Sequence, residues 1–390
     1  MSNHNMPMGL YALALGAFAI GLTEFGIVGL LPQVANEFHV SEQVAGYLVS
    51  GYALSVAVGA IVLTAIMTRY ERRITLIMLM ALFILGNLTS AIAENYSILM
   101  LGRIIAALCH GAFFSIGAVV AAGMVHTNKQ AAAISIMFLG LTVSNVMGVP
   151  VGTFLGLKFG WRSTFWVLAI IGIITMFGIR LLVPVITVDN KSNLKNEFRV
   201  FKSPQVWISI FISIFTFGGV IGGFTYIAFI LTKVSQFQTS SVPWLLVLFG
   251  FGTFIGNIIG GKMADKALNK SIAILLTFLA IVLAIFALTA ENQTMTVISL
   301  FLMGSVGLAI APGLQLRIMR YAPDAPTAAS GANIAAFNIG NALGAWFGGI
   351  TLNAGFGFTS PLWAGVVLSL TGLIILSIGV KLNTNKPSYY

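Results

Sequence analysis

The chain has 390 residues, 58% hydrophobic and only 8% charged, with a mean hydropathy of +0.98 and a formal charge of +10. Soluble domains carry about 25% charged residues, so this chain has too little polar surface to cover itself in water, and its long apolar runs suit membrane-spanning helices rather than the alternating strands of a barrel. The basic excess sits in short loops between those runs, which reads as membrane topology rather than nucleic-acid binding, and the single cysteine, Cys109, excludes a disulfide framework or a Cys-based metal site within the chain.

The first residues, MSNHNMPMG, contain no Lys or Arg, and the apolar run that follows lacks an A-x-A cleavage site, so it reads as a retained first helix. Runs long enough to span a bilayer follow at about 9–31, 44–66, 74–93, 97–124, 131–156 and 163–183. A polar connection, 184–205, comes next, and six more runs lie at about 206–231, 242–263, 271–290, 294–316, 328–350 and 361–381. The chain therefore reads as an all-α membrane protein of twelve spans. It divides into a six-helix bundle over 1–183, a cytoplasmic linker and a second six-helix bundle over 206–390.

With the N-terminus inside, sixteen of the 20 Lys and Arg residues fall on inner loops and ends. Three fall outside (Lys158, Arg162 and Lys233) and one, Arg103, lies within a span. The positive-inside rule then puts both termini in the cytoplasm. The segment GAIVLTAIMTRYERR (59–73) is echoed by GNIIGGKMADKALNK (256–270), each a Gly-containing span end running into a basic loop. Such parallel six-span repeats are found in one large transporter architecture.

Of the ten acidic residues, only Glu24 lies within a span, in GLTEFGIVGLLP; the others fall in loops or at span ends, and the second half has no acid or base in a span interior. A charge at membrane depth costs about 2.5–3.5 kcal/mol on insertion scales, so such a carboxylate is a candidate proton carrier. Span one runs outward and places Glu24 roughly 10 Å below Leu31; span four runs inward and places Arg103 about 9 Å below Ser97. The two charges thus lie at similar depth, and Arg103 is the candidate electrostatic partner. His110, seven residues after Arg103, shares its helix face, with Phe114 one turn on; His110 is a candidate for proton or substrate contact and Phe114 for substrate contact. Asn145 in span five, Tyr226 at the end of span seven, and Asn338 and Asn341 in span eleven are further candidate substrate ligands. No G-x-x-x-x-G-K-[ST], G-x-S-x-G or H-E-x-x-H motif occurs, so neither ATP-driven transport nor enzymatic chemistry is expected.

The ordered motifs resemble the major facilitator superfamily along the whole chain. Gly261, Ala264, Asp265 and Lys266 match its loop signature in the second half; in the first half Thr64 and Thr68 replace Gly and Asp, while Arg69, Arg72 and Arg73 remain. LGRIIAALCHG resembles the arginine-bearing motif of span four, and GLTVSNVMGVPVG the antiporter motif of span five, here with Gly148, Pro150 and Gly152. Together with TEFGIVGLLPQVA, CHGAFFSIGA and FNIGNALGA, these look closest to drug:proton antiporters of the sugar, arabinose and purine efflux branch. The resemblance implies two six-helix repeats, a central cavity lined by spans one and four, and a span-five kink that seals against proton leak. It implies a monomer in the bacterial cytoplasmic membrane, driven by the proton gradient without cofactor or metal. Its partners would be protons, lipid and a small neutral or weakly charged solute. An uncoupled facilitator or substrate sensor, and a multidrug exporter, are the alternative readings on the same scaffold.

Overall fold

The computed structural model describes residues 6–40, 42–67, 69–185 and 199–384. Within them each apolar run is helical. The first series is α1 (Gly9–Gly26), α2 (Glu42–Val58), α3 (Arg72–Ala91), α4 (Tyr96–Gly123), α5 (Gln130–Phe159) and α6 (Arg162–Leu182). The second is α7 (Pro204–Thr225), α8 (Val242–Lys266), α9 (Leu268–Thr289), α10 (Gln293–Ala309), α11 (Pro326–Asn353) and α12 (Ser360–Thr384). Most of the 184–205 connection, together with Thr68, lies outside the described residues.

The helix ends follow local chemistry. Glu71 caps α3 by accepting from the backbone N–H groups of Arg73 and Ile74, and Asn95 and Asn292 cap α4 and α10 in the same way. Gly160, at φ +80°, makes the turn between α5 and α6, a backbone conformation that a side chain strains. α10 breaks at Ile310 and resumes as Ala311–Arg320, because Pro312 lacks the N–H that would continue the ladder. α2 passes through a π-helical turn, Gly59–Leu63, and α7 is followed by a second one, Ile230–Val234.

Among the described residues ten helices are long and apolar enough to cross a membrane. Two of the twelve runs fall outside that set for different reasons. α1 is apolar but short (Gly9–Glu24), and α11 is long but carries Thr327, Ser330, Asn333, Asn338 and Asn341.

Contacts divide the chain into two units. Met1–Arg199 with Asp324–Ala335 form the first, and Val200–Pro323 with Ala336–Tyr390 form the second. A division at the 184–205 connection alone would put all of α11 in the second unit. Its first turns instead pack on the first, where the Ser330 hydroxyl donates to the Ser115 carbonyl at 2.6 Å. Inside each unit the pairings echo each other. In the first, α2 packs on α4, α3 on α6 and α1 on α6; in the second, α8 packs on α10, α9 on α12 and α7 on α12. The six-span repeat read from the loops is thus a repeat of helix pairing.

One polar node ties the end of the α1 chain to α3 and α6. The Glu37 carboxylate accepts from the Trp161 indole at 2.6 Å and from Arg162 at 2.5 Å, and Arg162 also donates to the Ala93 carbonyl at 2.6 Å. The guanidinium stacks 4.2 Å from the Trp161 ring. Partial burial alone would raise the Glu37 carboxyl, but the hydrogen bonds from Arg162 and Trp161 and the Arg162 charge hold it below the usual carboxylate range. A depressed carboxyl contributes stability above its unfolded value, and that contribution is lost as pH falls through the folded value. Glu37→Gln is therefore expected to lower thermal stability at pH 7.5 by about 1 kcal/mol or less, as befits a half-exposed pair. Melting curves of wild type and variant should converge as pH drops below about 4; a gap unchanged across that range would refute the assignment.

Candidate functional site

The site lies where α1, α2 and α4 cross. α2 and α4 approach closely because Gly111 has no side chain: a Cβ there would lie 2.5 Å from both the Val56 carbonyl oxygen and the Ala60 nitrogen. Gly59 likewise rests on the Leu108 carbonyl. The π-helical turn of α2 starts at this crossing, and such turns re-aim the residues around them.

Polar side chains from three helices converge there. Arg103, in α4, is fully buried. Its Nη1 donates to the Thr23 carbonyl of α1 at 2.6 Å, and its guanidinium carbon lies 4.1 Å from the centre of the Tyr52 ring of α2. The Tyr52 hydroxyl is 3.3 Å from Nδ1 of His110, and the Glu24 carboxylate is 3.9 Å from the same nitrogen. The Glu24 carboxylate therefore faces a ring nitrogen of His110, while Arg103 bonds the backbone one residue away. The two charges meet at one depth, as their positions in the spans require, without a direct salt bridge between them. Phe114 closes the far side of His110, ring centroids 5.0 Å apart, and packs in turn on Phe138 at 5.6 Å.

Two features distinguish this cluster from a packed core. The Glu24 side chain is 29% exposed, against 9% for His110. Arg103 also keeps two buried donors, Nε and Nη2, without a hydrogen-bond partner. A fully buried guanidinium with an open edge is costly, and that edge has the fork geometry that takes a carboxylate.

Other candidates lie elsewhere. Asn145, in α5, has a buried Oδ1 without a partner. Gly152, of the antiporter motif, lies against α1: a Cβ there would come 2.6 Å from the Gly26 carbonyl oxygen, at the point where α1 tightens into the 3-10 turn Ile27–Leu30. Gly148 also borders Gly26, and α5 continues as helix through Pro150 to Phe159.

In the basic loop Arg69 donates to Ile66, Arg73 to the Arg180 carbonyl, and Arg72 is buried. Gly261 and Asp265 lie near the end of α8, in the second unit. Asn338 and Asn341 lie in that unit too, on α11; Asn341 keeps a buried Oδ1 without a partner. Tyr226 donates its hydroxyl to the Ala345 carbonyl at 2.9 Å, joining α7 to α11. Phe337 stacks on Phe217 at 4.0 Å, and Trp346 is exposed.

The family model of the Major Facilitator Superfamily matches residues 13–324 and 236–388. The inner membrane transport protein YdhP of Escherichia coli is 41% identical over 367 residues, 94% of each chain. The chloramphenicol resistance protein of Streptomyces lividans is 29% identical over 388 residues, 98% of this chain and 99% of that protein. The fold is also that of the Escherichia coli fucose:proton symporter FucP, with a TM-score of 0.78 at 13% identity over 95% of this chain and 98% of FucP. The chain belongs to the major facilitator superfamily. It is a multi-pass membrane transporter rather than an enzyme, with the twelve-helix architecture of that superfamily, and the resemblance read from its motifs is borne out.

Within this superfamily scaffold two residues escaped the sequence reading. Tyr52 drew no notice because a tyrosine in an apolar run reads as packing; its signal was a hydroxyl at mid-span in SGYALS, a span whose partner helix carries Arg103 and His110. Arg317 is a correction. Counted as an inner-loop cation beyond a span ending at 316, it lies instead in the helical continuation of α10 and is fully buried. The second half therefore does hold a buried base.

Its surroundings differ from those of Arg103. Nε donates to Asn269 at 3.0 Å, Nη2 to Gln205 at 3.1 Å and Nη1 to Ser209, so each guanidinium nitrogen is satisfied. Gln205 donates onward to the Gly379 carbonyl, so Arg317 ties α7, α9, α10 and α12 together. Arg317→Lys, which cannot serve three acceptors from one planar group, is expected to destabilise the protein by about 2–3 kcal/mol. Arg103→Lys, with one protein hydrogen bond to keep, should lose less stability and more transport. Thermal unfolding and transport assays on both variants check this; equal stability losses would show that the two arginines play the same part.

Proposed function

We propose that this transporter is a proton-coupled exporter of the bacterial cytoplasmic membrane with both termini in the cytoplasm. Inward proton flow through Glu24 drives outward movement of small neutral or weakly charged solutes by alternating access of its two halves. The protein acts as a monomer, without cofactor or metal, and the proton gradient supplies the energy.

The observation that carries this reading is the partly exposed Glu24 carboxylate beside His110, in a cluster where Arg103 keeps two donors open. An ionised carboxylate at that depth gains from moving to the guanidinium, and a protonated one does not. Loading and release of a proton then changes the point along α4 at which Glu24 is held. A substrate that engages either partner shifts the same balance.

Sugars and nucleobase-like solutes suit a cluster that offers a histidine, a tyrosine hydroxyl and an aromatic ring in His110, Tyr52 and Phe114. A drug-exporting variant of this reading draws support from the similarity to a chloramphenicol resistance protein. The test is pH-driven uptake into inverted vesicles of labelled arabinose, a nucleoside and chloramphenicol. Glu24→Gln is expected to abolish accumulation driven by the gradient while leaving solute exchange at zero gradient. Accumulation by Glu24→Gln equal to wild type would overturn proton coupling through this residue.

A further inference from the structure

The proposed coupling leaves the hydroxyl of Tyr52 without a role. This side chain is almost fully buried, at 1% exposure, and touches two members of the cluster at once. Its ring lies under the guanidinium of Arg103, and its hydroxyl faces Nδ1 of His110. That nitrogen is the one that Glu24 also faces. The groups around it that titrate or carry charge are Glu24 from α1, Tyr52 from α2, and Arg103 and Cys109 from α4. Cys109 is turned away and donates to the Ala106 carbonyl at 2.9 Å.

One nitrogen with two neighbours can serve only one of them at a time. An ionised carboxylate accepts and does not donate, so it cannot bond an unprotonated Nδ1; a phenol can. A protonated carboxyl has an O–H and can take the same lone pair. The distances match the first arrangement, with the hydroxyl at 3.3 Å and the carboxylate farther away at 3.9 Å.

We propose that Tyr52 is a positioning residue of the coupling site: its hydroxyl occupies Nδ1 of His110 while Glu24 is ionised and yields that nitrogen to Glu24 when Glu24 is protonated. The proton of the neutral imidazole stays on Nε2 in both arrangements, and no covalent bond changes. In the ionised state the Tyr52 ring also steadies the guanidinium of Arg103 with its Nε and Nη2 edge open for the carboxylate. The hydroxyl thus supports one protonation state of Glu24 and not the other, which places the pH at which the site switches. This inference rests on the reading of Glu24 as the proton carrier.

Tyr52→Phe removes the hydroxyl and keeps the ring over Arg103. It withdraws support from the ionised state alone, so the switch should move to higher pH, by about half to one unit for one hydrogen bond. The measurement needs no substrate. Infrared spectroscopy of the purified full-length protein follows the carbonyl stretch of a protonated carboxyl as pH is varied, and the band lost in Glu24→Gln is that of Glu24.

A band that titrates at higher pH in Tyr52→Phe supports the proposal. A midpoint that stays put or moves to lower pH overturns it, and leaves Glu24 as the carrier intact. If no band depends on Glu24 across the pH range, the reading of Glu24 as proton carrier fails, and this inference fails with it. Packing damage is separated by repeating the substitution in a His110→Phe background, where Nδ1 is gone. There Tyr52→Phe should add no shift; the same shift with and without the imidazole would overturn the proposal.

Discussion

A fully buried guanidinium with too few acceptors is the constraint on which the first unit is organised. Arg103 must be satisfied by protein, because lipid offers no hydrogen bonds. One bond to the Thr23 carbonyl and one aromatic face from Tyr52 hold α1 and α2 to α4. That arrangement positions Glu24 and His110 beside each other and still leaves two donors open. Everything proposed for coupling follows from this shortfall. A carboxylate nearby has somewhere to go when it ionises and a reason to stay away when it does not.

The second unit shows what the same residue type does when nothing is left open. Arg317 is as deeply buried as Arg103, yet three side chains from two helices accept from its three nitrogens. Such a network rigidifies the helix ends it joins. The pairing of α8 with α10 repeats that of α2 with α4, so the two units share a scaffold and differ in how their buried arginines are satisfied. Burial and charge are equal in the two cases; the count of acceptors is what differs.

Close helix approach makes both arrangements possible. Gly111 against Val56 and Ala60 brings α2 near enough to α4 for an aromatic ring to cover a guanidinium. In the second unit Gly344 sits on the Gly218 carbonyl in the same manner, drawing α11 onto α7. Without a hydrophobic drive between helices inside a bilayer, small residues at crossings decide which polar side chains come within reach of each other.

The sequence by itself determined the membrane class, the twelve apolar runs, the single acid inside a span, and the equal depth of Glu24 and Arg103, because hydropathy, charge and helical rise are properties of a linear chain. It also put Arg103, His110 and Phe114 on one face, since that needs only the period of a helix. It could not assign Glu24 its contact with His110, give Tyr52 a role, or bring Arg317 out of the loops. Those outcomes turn on how far α10 continues past Pro312 and on the rotation and crossing of α1, α2 and α4. Helix rotation about its own axis leaves no trace in an almost uniformly apolar run, so only the packed structure decided which polar groups meet.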